Sequence, residues 1–161
     1  MIQIRTLQKS DNKVLADIIR AIFIEHDAPQ EGTVYTDPTT DDLYSLFQKD
    51  NAILYVGELD GEIVGCGGIY PTESLPAKCV EFVKFYISPK GRGHKIGLQI
   101  MELSTTFAKD QGMQKIYIES LPHYAKAVSM YEKQGFNMLD KPLGQSGHTT
   151  CNIWMIKELV G

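Results

Sequence analysis

Between Cys79 and Ser120 the chain reads strand, glycine-rich turn, helix, strand, and no other stretch restricts the fold as much. CVEFVKFYIS (79–88) is an apolar run rich in β-formers, and it delivers the chain into SPKGRGHKIG (88–97). Ile96, Ile100, Leu103 and Phe107 then recur on one helical stripe that ends near Gly112, and KIYIES (115–120) is a second strand. Two strands joined through a helix lie parallel in one sheet, with a right-handed crossover. A ligand in such a sheet sits outside the carboxyl ends of the parallel strands, and the glycine-rich turn falls at one of those ends.

The flanking segments add antiparallel elements. MIQIRTL (1–7) alternates as a half-buried strand, and Ser10 is placed to cap a helix from Asp11 to His26 whose apolar face is Leu15, Ile18, Ile19 and Ile22. DAPQEGTVYTDP (27–38) carries loop punctuation, and a short helix is predicted from Thr39, with Thr39 and Asp42 as a capping box. AILYVGEL (52–59) and EIVGCGGIY (62–70) flank Asp60-Gly61, the strongest hairpin signal in the chain. A helix from Tyr124 to Gln134 is stopped by Gly135, and FNML (136–139) and CNIWMI (151–156) read as closing strands. The expected fold is α/β (α+β), a single mixed, mostly antiparallel sheet with a central βαβ crossover and helices on both faces. A chain of 161 residues buries roughly two thirds of its unfolded surface, so one domain over residues 1–161 is the expectation.

Composition removes several classes. A net charge of −4 leaves no broad basic face for nucleic acid, so any anion site is local. The apolar stretches fall short of the roughly 18–20 residues of a membrane span, and MIQIRTLQKSD has no signal-peptide core. A soluble, cytoplasmic protein with no membrane or nucleic-acid partner is expected. Cys66, Cys79 and Cys151 form no CxxC pair and read as buried thiols, and no metal site is expected. Trp154 and Met155 read as core.

A helix N-terminus offers unpaired N–H groups and partial positive charge, and Arg92, His94 and Lys95 add donors beside Gly91, Gly93 and Gly97. A phosphate-rich cofactor fits this chemistry; the alternative is a solvated basic turn that merely connects strand to helix. No Lys-Ser or Lys-Thr follows a suitable glycine, which removes a Walker loop, and Gly91, Gly93 and Gly97 are one residue too widely spaced for a dinucleotide fingerprint.

FYISPKGRGHKIGL (85–98) resembles the cofactor motif of the GNAT superfamily of N-acetyltransferases: Arg or Gln, two residues, Gly, any residue, then Gly or Ala. Arg92 fills the first place and Gly97 the last, and Lys95 stands where the family usually has Gly. AVSMYEKQGF (127–136) is similar to the family's next helix, with Tyr124 where Asn is frequent seven residues before the Tyr. The resemblance covers essentially the whole chain and implies an acyl-CoA N-acyltransferase fold with acetyl-CoA as co-substrate.

The resemblance also implies roles. The strand ending Phe85, Tyr86 and Ile87 splays from KIYIES and holds the thioester carbonyl and pantetheine. The backbone of Arg92, Gly93, His94, Lys95, Ile96 and Gly97 holds the pyrophosphate, with Tyr124 beside the pantetheine arm. Tyr131 is the candidate acid for the leaving thiolate, since a phenol of pKa ~10 is protonated at neutral pH. Glu81 is the candidate base, against the alternatives of a surface residue, a partner of Lys84, or an amine that arrives already deprotonated. His148 reads as an exposed loop histidine. The acceptor is expected to be a small-molecule or peptide amine chosen by loops 27–38 and 140–150, with Asp27, Glu31 and Asp37 available to a cationic amine. Small domains of this fold often pair, and a homodimer is the assembly carried forward. A coenzyme A sensor of the same fold, without turnover, is the alternative.

Overall fold

The computed structural model describes residues 1–159. Its strands are β1 (Ile2–Thr6), β2 (Ile53–Leu59), β3 (Glu62–Tyr70), β4 (Cys79–Ile87), β5 (Lys115–Ser120), β6 (Asn137–Met138) and β7 (Ile153–Glu158). The helices are α1 (Asn12–Glu25), the single turn α2 (Leu43–Leu46), α3 (Ile96–Asp110) and α4 (Ala125–Lys133). All seven strands join one sheet in the order β1-β2-β3-β4-β5-β7-β6. Only β4 and β5 run parallel, and α3 makes the crossover between them. The expected mixed, mostly antiparallel sheet is therefore the observed one.

Two cores sit on the two sheet faces. Leu15, Ile19 and Phe23 of α1 pack with Leu43, Leu54, Val56 and Cys66 on one face. Ile96, Ile100 and Met101 of α3 pack with Val80, Phe82, Ile116, and Val128 and Tyr131 of α4 on the other. Asp60 and Gly61 take φ of 52° and 83°, the positive pair that a two-residue hairpin turn demands. Among the described residues no helix is long and apolar enough to cross a membrane. The cysteines are free thiols, Cys66 and Cys79 buried and Cys151 half-buried.

Several local expectations are corrected. Ser10 does not cap α1; it lies within a 3-10 turn, Lys9–Asp11, and Asp11 closes it by accepting from Gln8 N–H while its carboxylate binds Arg5. The Thr39–Asp42 box does not form. Asp37 caps a 3-10 turn at Pro38–Asp41, and Asp42 caps α2 by accepting from Ser45 N–H, because Pro38 fixes the earlier start. The predicted strand at 136–139 shrinks to two residues, and the last strand starts at Ile153. Cys151 N–H is drawn to His148 C=O in the preceding loop, which holds that residue out of the ladder.

Candidate active site

The parallel pairing that closes the centre of the sheet is short. Cys79, Val80 and Glu81 face Lys115, Ile116 and Tyr117, and beyond them β4 and β5 have no partner residues in common. The strands part there, as the family resemblance implies, and a cavity of about 650 Å³ opens between them. A β-bulge sits just past the parting. From Val83↔Gly68 to Tyr86↔Cys66 the chain takes three steps on β4 and two on β3, and Lys84 carries the strain with φ of 56°. The bulged strand bends, and its edge toward β5 presents backbone groups to the cavity rather than to a neighbour.

Glu81 lies at the fork. It is buried, lines the cavity, and accepts a 2.6 Å hydrogen bond from Thr72 Oγ1. Burial pushes its carboxyl up to about 8; Thr72 opposes that rise and the nearby Glu119 reinforces it. The surface alternative for Glu81 is thus excluded, and among the described residues it forms no ion pair with Lys84 within 4.0 Å. Glu119 itself accepts from Tyr117 Oη at 2.7 Å and from Ser146 Oγ.

Tyr131, on α4, is buried against Phe82, Phe85 and Phe136, with ring centroids 6.0–6.2 Å away, and it also lines the cavity. Burial alone raises its phenol further above 10, so it stays protonated throughout the physiological range. The residue is at once part of the core and part of the cavity wall.

At the mouth the glycines of the turn play different structural parts. Gly93, at φ of 82°, is open and lines the cavity. Gly91 and Gly97 are packing glycines. A Cβ would come within 2.8 Å of Val64 at Gly91 and within 2.7 Å of Phe85 at Gly97, so their small size seats the turn and α3 on the sheet. Lys95 is left-handed, φ 62° and ψ 20°, and the first backbone bond into α3 runs from Gln99 N–H to Lys95 C=O at 3.1 Å. The amides of Ile96, Gly97 and Leu98 precede that bond, at the end of the helix that carries partial positive charge.

Arg92 Nε donates to Ile87 C=O at 3.0 Å, and its guanidinium grips Glu25 of α1 at 2.5 and 2.8 Å, which holds that carboxyl below its ordinary range. Of the remaining expected cofactor residues, Phe85, Tyr86, Ile87 and Tyr124 line the cavity, whereas His94, Lys95, Ile96 and Gly97 do not. Tyr124 packs on Phe23, His26 and Tyr86, and its hydroxyl is buried without a hydrogen-bond partner among the described residues.

Loops 27–38 and 140–150 meet over the cavity. Thr150 N–H donates to Gly32 C=O at 3.2 Å, its hydroxyl to Glu31 C=O at 2.5 Å, and His148 Nε2 lies 3.0 Å from Asp37 Oδ2. His148 is therefore not the exposed histidine expected. It lines the cavity, and burial together with Lys84 depresses its pKa against the pull of Asp37. Burial also works on Asp37, but hydrogen bonds from Thr39 and His148 prevail and hold it at about 2. Asp27 and Glu31 are exposed, so the acidic triad proposed for a cationic amine is not assembled.

A single cavity is thus lined by Glu81 and Tyr131 and, at its mouth, by Arg92 and Gly93 of the glycine-rich turn. Residues 19–136 match the model of the acetyltransferase (GNAT) family, and the chain belongs to that family. It is an acetyl-CoA-dependent acetyltransferase. It is 31% identical over 156 residues, covering 96% of this chain and 93% of the relative, to an uncharacterized N-acetyltransferase, YjgM, of Escherichia coli (strain K12). Its fold is similar to that of a GNAT acetyltransferase from Staphylococcus aureus Mu50, with a TM-score of 0.85 at 18% identity over 99% of this chain and 100% of that one. It is also similar to yncA of Salmonella typhimurium, solved with acetyl-CoA, with a TM-score of 0.77 at 17% identity over 100% and 95% of the two chains.

Proposed function

We propose that the chain transfers the acetyl group of acetyl-CoA directly to a primary amine of a small molecule or peptide, with Glu81 as base and Tyr131 as acid. The observation that carries this reading is that Glu81 and Tyr131, on β4 and α4, line one cavity at the fork of β4 and β5. Pyrophosphate at the amides of Ile96, Gly97 and Leu98 directs the pantetheine arm into that fork, beside Phe85, Tyr86 and Ile87. The unpaired edge of β4 supplies N–H groups to the thioester oxygen as it gains charge.

The amine nitrogen attacks the thioester carbon, and the C–N bond forms while the C–S bond breaks. The amine's surplus proton passes to ionised Glu81. The departing sulfur takes the proton of Tyr131, whose phenol is raised by the same apolar surroundings that raise a thiol. A base poised at about 8 matches an operating pH near neutrality.

The test is release of coenzyme A thiol from acetyl-CoA against a panel of amines, with calorimetric titration of coenzyme A in the same samples. Amine-dependent release supports the reading. Coenzyme A binding without release under any amine favours a sensor of the same fold.

A further inference from the structure

The cavity holds a cation that the chemistry above leaves unused. Lys84 is 7% exposed and lines the cavity with Glu81, Glu119 and His148. The bulge puts it there. Phe82 faces the α3 core and Val83 the α1 core, and in regular alternation position 84 would return to the α3 side. Instead Phe85 packs on the α3 side and Tyr86 on the α1 side, so the extra residue has shifted the pattern by one. A left-handed φ in a non-glycine residue is the conformational cost of that shift.

Once inside, the ammonium has no partner of its own. Among the described residues no carboxylate approaches it within 4.0 Å, and Asp37 and Glu81 act on it only through longer-range fields. Each surrounding carboxyl is satisfied elsewhere. Asp37 accepts from Thr39 and His148, Glu119 from Tyr117 and Ser146, and Glu81 from Thr72. Burial accordingly drives the Lys84 pKa down, against the pull of Asp37 and Glu81. A buried ammonium without an ion pair is costly, and an anion delivered by a ligand removes the cost.

We propose that Lys84 receives a carboxylate of the acceptor, so that the acceptor is an amine bearing a carboxylate close to its nitrogen, an α-amino acid in the simplest case. The proposal rests on the acetyl-transfer reading above. A single ammonium in the fields of Asp37 and Glu81 suits one negative charge; a phosphate dianion would meet both carboxyls with only one cation to offset it. The other end of the same molecule is served as well, since its amine falls on the side of Glu81, three residues earlier on the strand. Thr33 and Val34, from loop 27–38, line the wall left for the acceptor's side chain.

The experiment compares α-amino acids with their α-carboxamides in the thiol-release assay, rates being expressed per free amine, for the wild type and Lys84→Met. The wild type is expected to prefer the acid over its amide by about 10- to 100-fold in kcat/KM, the range of a charge-assisted hydrogen bond. In Lys84→Met the ratio falls to near one, mainly through KM. Calorimetry of the coenzyme A-loaded protein with N-acetyl amino acids and their amides reads the same preference without turnover. Equal use of acid and amide by the wild type, or a preference that survives in Lys84→Met, overturns the proposal. So does a mass gain of one acetyl group on incubation with acetyl-CoA alone that is absent from Lys84→Met, which would make Lys84 itself the acceptor. A Lys84-dependent binding preference with no thiol release from any amine would uphold the carboxylate site and sink the transfer reading. Failure of binding and release together would sink both. Melting temperature controls for folding, and Lys84→Met is expected to melt no lower than the wild type, because it removes an unpaired buried charge.

Discussion

Glu81→Gln tests the electrostatics and the chemistry of the fork together. With its carboxyl pushed up to about 8 by burial, roughly one Glu81 in ten is ionised at pH 7 and roughly nine in ten at pH 9. If the ionised form is the base, kcat/KM rises about tenfold over that interval before deprotonation of the amine itself adds a second rise nearer pH 10. Glutamine keeps the hydrogen bond from Thr72 and cannot take a proton, so the first rise vanishes, the second remains, and the rate above pH 8 falls by about 10²- to 10⁴-fold.

Stability must change with the opposite sign. The folded-state carboxyl titrates at about 8 rather than 4.5, so between those values the folded protein holds a proton that the unfolded chain has lost. Stability is therefore full below the unfolded value and declines as pH rises through the folded one, by on the order of 3–5 kcal/mol. The Glu81→Gln variant carries no such penalty. Its melting temperature should gain on the wild type from pH 5 to about pH 8 and level off above that, reaching roughly 10 °C, at about 2–4 °C per kcal/mol for a chain of this size. Melts and initial rates across pH 5–10 for both proteins decide the matter. A rise near pH 8 retained in the variant shows that Glu81 is not the base, and a constant difference in melting temperature shows that its carboxyl is not raised.

Three more outcomes follow from the site. Tyr131→Phe keeps the ring among Phe82, Phe85 and Phe136 and removes only the proton donor, so kcat should drop by about 10²-fold with little change in melting temperature; an unchanged rate across pH would remove Tyr131 from the mechanism. Lys95→Gly relieves a left-handed residue at the start of α3. The strain released, about 1–2 kcal/mol, exceeds the added chain entropy of about 0.5–1 kcal/mol, so a differential scan should show a melting temperature higher by about 2–3 °C. Glu25→Gln frees Arg92 from its bidentate pair. That pair is partly exposed and is worth about 0–1 kcal/mol, so coenzyme A binding should tighten by up to about fivefold at low salt; weaker binding would mean that the pair instead aims Arg92 at the pyrophosphate.

What the sequence made legible is what depends on periodicity and on local turn chemistry. The Asp60-Gly61 hairpin, the stripe of α3, and the strand, turn, helix and strand order of the crossover each follow from residues close in the chain, and each is present. Glu81 and Tyr131 were legible for a different reason, as chemistry-bearing residues within a family pattern, and the cavity brings them together. The pairing of His148 with Asp37 joins residues 111 apart, and the grip of Arg92 on Glu25 joins residues 67 apart. No local signal announces either one. Such contacts depend on where two loops, or a turn and a helix end, come to rest.

The bulge is the instructive case, because a signal for it was present and was not read. In regular alternation EFVKF would put Lys84 beside Phe82 against α3, an uncompensated charge in an apolar core, and would put Phe85 on the side of Glu81. That conflict disappears when one residue is inserted at Val83-Lys84. The neighbouring strand is already built for it. A Cβ at Gly67 would meet Phe85 within 3.0 Å, and one at Gly65 would lie 2.6 Å from Tyr86 C=O, so glycines of β3 clear the space the irregular strand needs. A charge that violates the alternation of a strand, opposite consecutive glycines on its neighbour, therefore locates a bulge. Here the same insertion accounts for two features of the site, since it bends β4 beyond the point where β5 ceases to pair and turns Lys84 into the cavity beside Glu81.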